Sequence, residues 1–441
     1  MYIKDFKGII IKAFNSLDLD TNIIKALKDL EYETPTDIQI KAIPLALKKK
    51  DILAAAQSGT GKTAAFLLPI IDELIESNQE NNNTLRALII APTRELVNQI
   101  NKAIEDFARH VEIKKTVVFG GVSSTEQARK LAKGVDILVA TPGRLLEHIR
   151  NKTVNLSSVQ TLVVDEVDTM LEMGFLEDIE TIFAQASTTR QIMMFSATLN
   201  QNVKKLAKEF LSNPAVIEIA SQRSTVAIID QQIIQVDPEQ KSALLSYLIG
   251  SRNYSQVLVF VNTKKEADGL VEHLELDGLP ASCIHGDVRQ TARAKALRKF
   301  KSGDIKVLVA TDIAARGIDI QLLPVVVNYE LPETVTDYTH RIGRTGRAGN
   351  AGTAITLLSV KDYRLMQEIE KELIFSVKRD IIEDFEPTEK KPRIFKARKK
   401  PLSHVKSSRK PQGATKQDPK KQKKKKSTKT TKRDANRNFR K

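Results

Sequence analysis

Two successive blocks of short β-branched runs alternating with amphipathic stretches constrain this chain more than any other feature. In the first block the runs are 86–92 (RALIIAP), 135–141 (VDILVAT), 161–165 (TLVVD) and 191–196 (QIMMFS). Between them, 63–76, 95–110 and 125–133 carry apolar residues three and four apart, the spacing of a helix with one buried face. The pattern fades after Asn213-Pro214 through the polar SQRST. It resumes at 256–261 (QVLVFV), 305–310 (IKVLVA), 325–329 (VVVNY) and 353–358 (TAITLL), and a closing helix is expected over 360–376. Strands alternating with helices build parallel sheets covered on both faces. The expected organisation is therefore α/β, with one domain over 1–213, a linker at 214–229, a second domain over 230–386 and a tail from 387 to 441. Ligands of such sheets sit beyond the carboxyl ends of the strands, so a crevice between two of them is the expected place for chemistry.

The charge is unevenly spread. Of the net +16, the 55 residues from 387 onward hold 23 basic and 3 acidic side chains, which leaves the body at −4. The tail contains KKQKKKKSTKTTKR and too few apolar residues to offset chain entropy, so it is expected to be disordered. Lysine and arginine at this density release counterions from a phosphate backbone, and nucleic acid is the expected partner. No apolar run approaches the ~18 residues of a membrane helix, and the N-terminus lacks the features of a secretory signal. The single cysteine, Cys283, excludes an internal disulfide and fits a reducing, cytoplasmic setting. Cys283, His273 and His285 lack metal-ligand spacing, and a structural role is expected for them.

A phosphate site is legible in 56–63 (AQSGTGKT), followed at once by the apolar AAFLLPII. Ala56 stands where this pattern usually has its first glycine, but Ser58, Gly59, Thr60 and Gly61 form the loop whose N–H groups would surround phosphate oxygens. Lys62 would reach the β/γ-phosphates, and Thr63 would ligate magnesium. A glycine turn before a core helix would explain neither the lysine nor the threonine. The second magnesium carboxylate is expected at a buried strand end, and TLVVDEVD supplies it. Asp165 would hold the metal, through water, and Glu166 would orient or deprotonate the attacking water. Nucleotide hydrolysis is the expected chemistry.

With these residues in place, 14–359 resembles the DEAD-box RNA helicases, which implies two tandem RecA-like parallel-sheet domains flanking an ATP and RNA cleft. Phe14 and 32–39 (YETPTDIQ) resemble the family's glutamine motif, which implies adenine reading by Gln39 with Tyr32 as a stacking ring. The resemblance also implies ribose contact by Asp319, and it makes Arg344 and Arg347 of HRIGRTGR arginine fingers on the γ-phosphate. Because those arginines lie in the second block, hydrolysis would require domain closure. Ser196 and Thr198 of SAT, with Asp168 and His340, are implied to couple the acidic site to that closure. RNA contacts are implied at Pro92, Thr93, Arg94, Gly120, Gly121, Thr141 and Arg144 in the first block, and at Arg293, Thr311 and Asp312 in the second. Such residues suit phosphates and ribose, so little sequence preference is expected.

Departures from the family pattern are Val167, which makes the motif DEVD, and Asp37 and Glu31, where proline and glycine are common. Val167 is expected to crowd a buried strand end without abolishing activity, and the other two to loosen the adenine loop. RGIDI, VVNYELPETVTDYTHRIGRTGRAG and the basic tail most resemble the bacterial RhlE group. The expected function is an ATP-dependent RNA helicase that locally separates short duplexes, with ribosomal or RNA-decay assemblies as partners. Its rivals are an ATP-gated RNA clamp and an RNA chaperone that works through the tail.

Overall fold

The computed structural model describes residues 13–57, 59–77, 84–219, 229–316, 318, 320, 323–346, 352–373 and 376–388. Ser58, Asp319, Arg347, most of the expected linker and the tail from 389 onward lie outside the described residues.

The first sheet is made of β1 (Ile52–Ala55), β2 (Ala87–Ile90), β3 (Lys115–Val118), β4 (Ile137–Ala140), β5 (Thr161–Val164), β6 (Gln191–Ser196) and β7 (Ala215–Glu218). Its helices are α1 (Thr21–Asp29), α2 (Asp37–Leu47), α3 (Lys62–Glu76), α4 (Arg94–Phe107), α5 (Ser124–Leu131), α6 (Pro142–Arg150), α7 (Val167–Glu172), α8 (Leu176–Gln185) and α9 (Gln201–Phe210). The second sheet contains β8 (Asp230–Gln235), β9 (Val257–Val261), β10 (Ala281–Ile284), β11 (Val307–Thr311), β12 (Val325–Asn328), β13 (Thr353–Leu358) and β14 (Arg379–Asp380). Around it lie α10 (Lys241–Ser251), α11 (Lys264–Leu276), α12 (Gln290–Ser302), α13 (Asp312–Ala315), α14 (Val335–Ile342) and α15 (Tyr363–Leu373).

Both sheets are parallel throughout, in the orders β3-β4-β2-β5-β6-β1-β7 and β10-β11-β9-β12-β13-β8-β14. Alternate strand residues enter opposite core layers, as a period of two requires. Ile52 and Ala54 join one apolar cluster and Leu53 the other; in β9, Val257 and Val259 face one layer while Leu258 and Phe260 face its opposite. Burial on both faces is what parallel strands need. The strand order sets β5, β6 and β1 side by side, so three carboxyl ends far apart in the chain open on one spot.

The structure corrects some of these expectations. The segment 215–218 is a strand: it pairs with β1 in register Ile52↔Ala215, and so belongs to the first sheet instead of the linker. Its alternating buried and exposed residues mark an edge strand, whose apolar signal is only half that of a central one. The closing helix begins with a 3-10 turn at Val360–Asp362, and its α-helical part is Tyr363–Leu373. Val167 opens α7, no longer a strand position, and its side chain is wholly buried in the second apolar cluster beside Val164 and Met170. Glu31 takes φ +59°, the left-handed region that favours glycine. Asp37 is the first residue of α2, where its charge suits the helix dipole as proline's fixed φ would suit the geometry.

Candidate active site and nucleic-acid groove

The loop leaving β1 reaches α3 through two left-handed glycines, Gly59 at φ +80° and Gly61 at φ +90°. Gly61 is required twice over, since a Cβ there would lie 2.3 Å from Gln39 Nε2. That approach lets Gln39 Nε2 donate to the Gly61 carbonyl at 3.1 Å, while Gln39 Oε1 accepts from the Thr36 N–H at 2.9 Å. The fully buried amide thus ties the start of α2 to the phosphate loop. Lys62, the first residue of α3, is 7% exposed, and its Nζ has no hydrogen-bond partner among the described residues. An ammonium held out of water without a partner is costly. Together with the N–H groups at the α3 start, it makes the loop a receptor for an anion.

Facing the loop, the end of β5 presents Asp165 and Glu166. The Glu166 N–H donates to Asp165 Oδ1 at 2.9 Å, and Glu166 turns the chain into α7 at φ +53°. Loss of hydration raises both carboxyls, and that of Glu166 is pushed up to about 7, with Asp165's charge adding to the rise and Lys62 and Arg344 opposing it. Arg344 comes from the second lobe, just past α14. It is 8% exposed, its Nη1 donates to the Ile318 carbonyl at 3.2 Å, and burial lowers its pKa against the pull of Glu166. Lys62, Thr63, Asp165, Glu166 and Arg344 line one cavity of about 450 Å³, and Tyr32 and Gln39 also line it. Tyr32 is 45% exposed and stands edge-on to Phe107, ring centroids 5.8 Å apart. Phe14 does not line the cavity. At 3% exposure it belongs to the apolar core with Leu17 and Ile23, which gives it a packing role.

The end of β6 folds onto α7. Asp168 Oδ2 accepts from the N–H groups of Ala197 and Thr198 at 3.1 and 2.9 Å and from the Thr198 hydroxyl at 3.0 Å. The Ser196 hydroxyl donates to the Thr198 carbonyl at 2.7 Å. Across the lobes, desolvation pushes His340 down to about 4, with Asp168's charge opposing, so the imidazole is neutral at physiological pH. Arg316, which sequence reasoning left without a role, bridges the lobes: its Nη2 meets Glu172 Oε2 of α7 at 2.7 Å and Asp337 Oδ1 of α14 at 2.5 Å.

A second cavity, of about 480 Å³, runs between the lobes, with Thr93, Arg94, Thr141 and Arg144 on one wall and Gly286 and Arg293 on the other. Pro92 and Gly120 also line it. Arg94 lies over the turn at Gly121, where a Cβ would come within 2.2 Å of its Nη1. Arg144 is held by the Val122 carbonyl at 2.9 Å, by Gln127 Oε1 at 3.0 Å and by Glu147 at 2.9 Å. Glu95, 8% exposed, receives Gln290 Nε2 and Arg293 Nη2 at 3.1 Å each, a second tie across the lobes. Thr311 ends β11 and stands at the N-cap position of α13 without a side-chain capping bond. Asp312 has a partner within its own lobe. Its carboxylate takes Arg341 Nε and Nη2, both at 2.6 Å, so its side chain positions Arg341. Arg341 is 1% exposed; it also reaches Asn262 Oδ1 at 2.9 Å and lies over the Phe260 ring at 5.1 Å. Within HRIGRTGR, then, Arg341 is a buried strut and Arg344 a cavity wall. The i, i+3 spacing would put them on one helix face, but the helix ends at Ile342, between them, so Arg344 leaves by another direction.

Comparison with known proteins gives a consistent result. The family model for DEAD/DEAH box helicases matches residues 36–206, and that for the helicase conserved C-terminal domain matches 240–349. The chain is 42% identical over 358 residues to the ATP-dependent RNA helicase CshA of Listeria monocytogenes, covering 81% of this chain and 68% of that one. It is 39% identical to the DEAD-box ATP-dependent RNA helicase RhpA of Helicobacter pylori, covering 82% and 72% respectively. Among solved structures, S. cerevisiae Dbp5 bound to RNA and ADP BeF3 matches with a TM-score of 0.73 at 29% identity, over 86% of this chain and 96% of that one. Mss116p bound to ssRNA and AMP-PNP matches with a TM-score of 0.77 at 27% identity, over 87% and 82%.

Proposed function

Because this chain belongs to the DEAD-box RNA helicase family, we propose that its ATP-dependent RNA helicase activity works by closing two lobes on RNA and separating short duplexes locally. The observation that carries this reading is a single cavity walled by Lys62, Asp165 and Glu166 from the first lobe and Arg344 from the second. In the proposed cycle Lys62 neutralises the phosphates and Glu166 takes a proton from the water whose oxygen attacks the γ-phosphorus. The bond to the bridging oxygen breaks, and Arg344 meets the charge that develops. Thr63 and Asp165 are hard oxygen donors beside an anion receptor, which suits magnesium; bound there, it would neutralise charge on the phosphate oxygens. Arg347 and the ribose contact at Asp319 remain part of the proposal by resemblance.

RNA would lie in the second cavity, its phosphates met by Arg94 and by the N–H groups and hydroxyls of the 92–94, 120–121 and 141–144 segments. The ties from Glu95 to Gln290 and Arg293, and from Arg316 to Glu172, exist only when the lobes are together. ATP and RNA, each bound by both lobes, would therefore favour one closed form and bind cooperatively. Hydrolysis would release that form. We assign the first lobe to residues up to the end of β7 and the second to those from β8, place the protein in the cytoplasm, and take ribosomal or RNA-decay assemblies as its setting. Grouping with RhlE enzymes rests on RGIDI, VVNYELPETVTDYTHRIGRTGRAG and the basic tail, whereas the named relatives are CshA and RhpA.

The test is phosphate release with structured RNA, single-stranded RNA and DNA at matched salt. Strong stimulation by RNA and little by DNA is expected; equal stimulation by DNA would overturn the reading. Removal of 387–441 is expected to weaken RNA binding and flatten its salt dependence, while turnover at saturating RNA stays near that of the intact chain. A collapse of saturated turnover would show that the segment is more than a tether.

A further inference from the structure

On the outer edge of the second sheet, β10 carries Cys283 and is followed by His285. The spacing of two puts both side chains on one face. Helix α11 packs against that strand and brings Asp268 to the same point. Cys283 Sγ lies 3.3 Å from Asp268 Oδ1, and His285 Nε2 lies 3.0 Å from the same oxygen. His285 is 5% exposed, and its Nδ1 has no hydrogen-bond partner among the described residues. The sulfur, the imidazole nitrogen and the carboxylate oxygen all lie within 4.8 Å of one another, the one such group of possible ligands among the described residues. None of the three lines the nucleotide cavity or the RNA groove.

We infer that Asp268, Cys283 and His285 form a binding site for a borderline-soft divalent cation of the zinc class, separate from the magnesium position at the phosphate loop. The donor types carry the choice of ion. Thiolate and imidazole favour zinc or cobalt over magnesium or calcium, which take oxygen donors. Bonds of about 2.0–2.3 Å in a tetrahedron require donors about 3.3–3.8 Å apart. Two of the three separations are already near that range, and the Asp268 side chain, 57% exposed, is free to adjust. Its exposure also leaves the fourth position open to water. The charges balance: on binding, the Cys283 S–H proton passes to solvent, His285 offers Nε2 to the cation, and thiolate plus carboxylate offset the two positive charges. Bound there, the cation would pin the β10–α12 connection to α11. The α12 start carries Gln290 and Arg293, which hold Glu95 across the lobes.

The sequence offered no ligand set because Asp268 is 15 residues from Cys283 on a different element. Only the packing of α11 on β10 makes it a partner.

The test is titration of the nucleotide-free full chain with Co2+, with excess Mg2+ present to occupy the carboxylates at the phosphate loop. The intact protein is expected to show a thiolate-to-cobalt charge-transfer absorption that saturates at one equivalent and is displaced by Zn2+. Cys283→Ser should lose the band. Asp268→Asn and His285→Gln should weaken binding by at least ~10-fold, as loss of ligand-supporting groups does elsewhere. Thermal melts of each variant without metal check folding, and Asp268→Asn alters an exposed side chain least able to disturb it. No band in the intact chain, or a band unchanged by both Asp268→Asn and His285→Gln, would overturn the site.

Discussion

Glu166→Gln is expected to lower RNA-stimulated ATP turnover by about 10²–10⁴-fold while leaving ATP binding intact or tighter. The substitution keeps the side-chain volume at the turn into α7 and removes only the group able to accept a proton from water. Binding should not suffer, because Glu166 already lies in the field of Asp165, and its charge repels the same phosphates that Lys62 attracts. Single-turnover phosphate release, alongside nucleotide binding measured directly, separates the two effects. The variant should hold RNA in the presence of ATP and lose the duplex separation that depends on turnover. Annealing that survives would belong to the basic segment beyond 387. Turnover within threefold of the intact protein would remove Glu166 from the chemistry.

Arg344→Ala should cost about 10³-fold or more in the RNA-stimulated rate, the range seen when an arginine finger is lost. Arg344 reaches the cavity only from the second lobe, so nucleotide affinity measured without RNA is expected to change little. Lysine is a poor replacement. Its point charge cannot keep a donor on the Ile318 carbonyl while another faces the cavity, as the guanidinium fork does. Arg344→Lys should therefore recover only a small part of the rate. A variant that loses ATP affinity as severely as turnover would place Arg344 in ground-state binding instead. Destabilisation is checked by thermal melting, since removing a buried cation also leaves Glu166 without its second-lobe counter-charge.

The two sites differ in how much of them could be read in advance. The phosphate loop is contiguous. Gly59, Gly61, Lys62 and Thr63 act through local backbone geometry and the start of one helix, so their spacing alone carries the chemistry. Asp165 and Glu166 were legible because a buried strand ends there. Resemblance led to Gln39, and the structure adds that its amide is already committed to Thr36 and Gly61. Phe14 and Asp312 share a limit of sequence reading: an aromatic ring or a carboxylate in a motif looks the same in sequence whether it meets a ligand or a neighbouring side chain. Burial in the apolar core decided the first, and the paired bonds to Arg341 the second.

The remainder concerns pairs far apart in the chain. Arg316 meets Glu172 across 144 residues, Gln290 meets Glu95 across 195, and Asp168 receives Thr198 across 30. Hydrophobic periodicity reports which face of an element is buried, not which element lies beside it. By itself, then, the sequence determined two parallel α/β lobes, an anion-binding loop and a carboxylate pair to work with it, because each depends on neighbours a few residues away. The tertiary structure alone decided that β5, β6 and β1 stand together and which arginine is strut, bridge or cavity wall. It also decided that a helix brings Asp268 to Cys283 and His285. Those outcomes follow from strand order and lobe closure, which are properties of the whole packed chain.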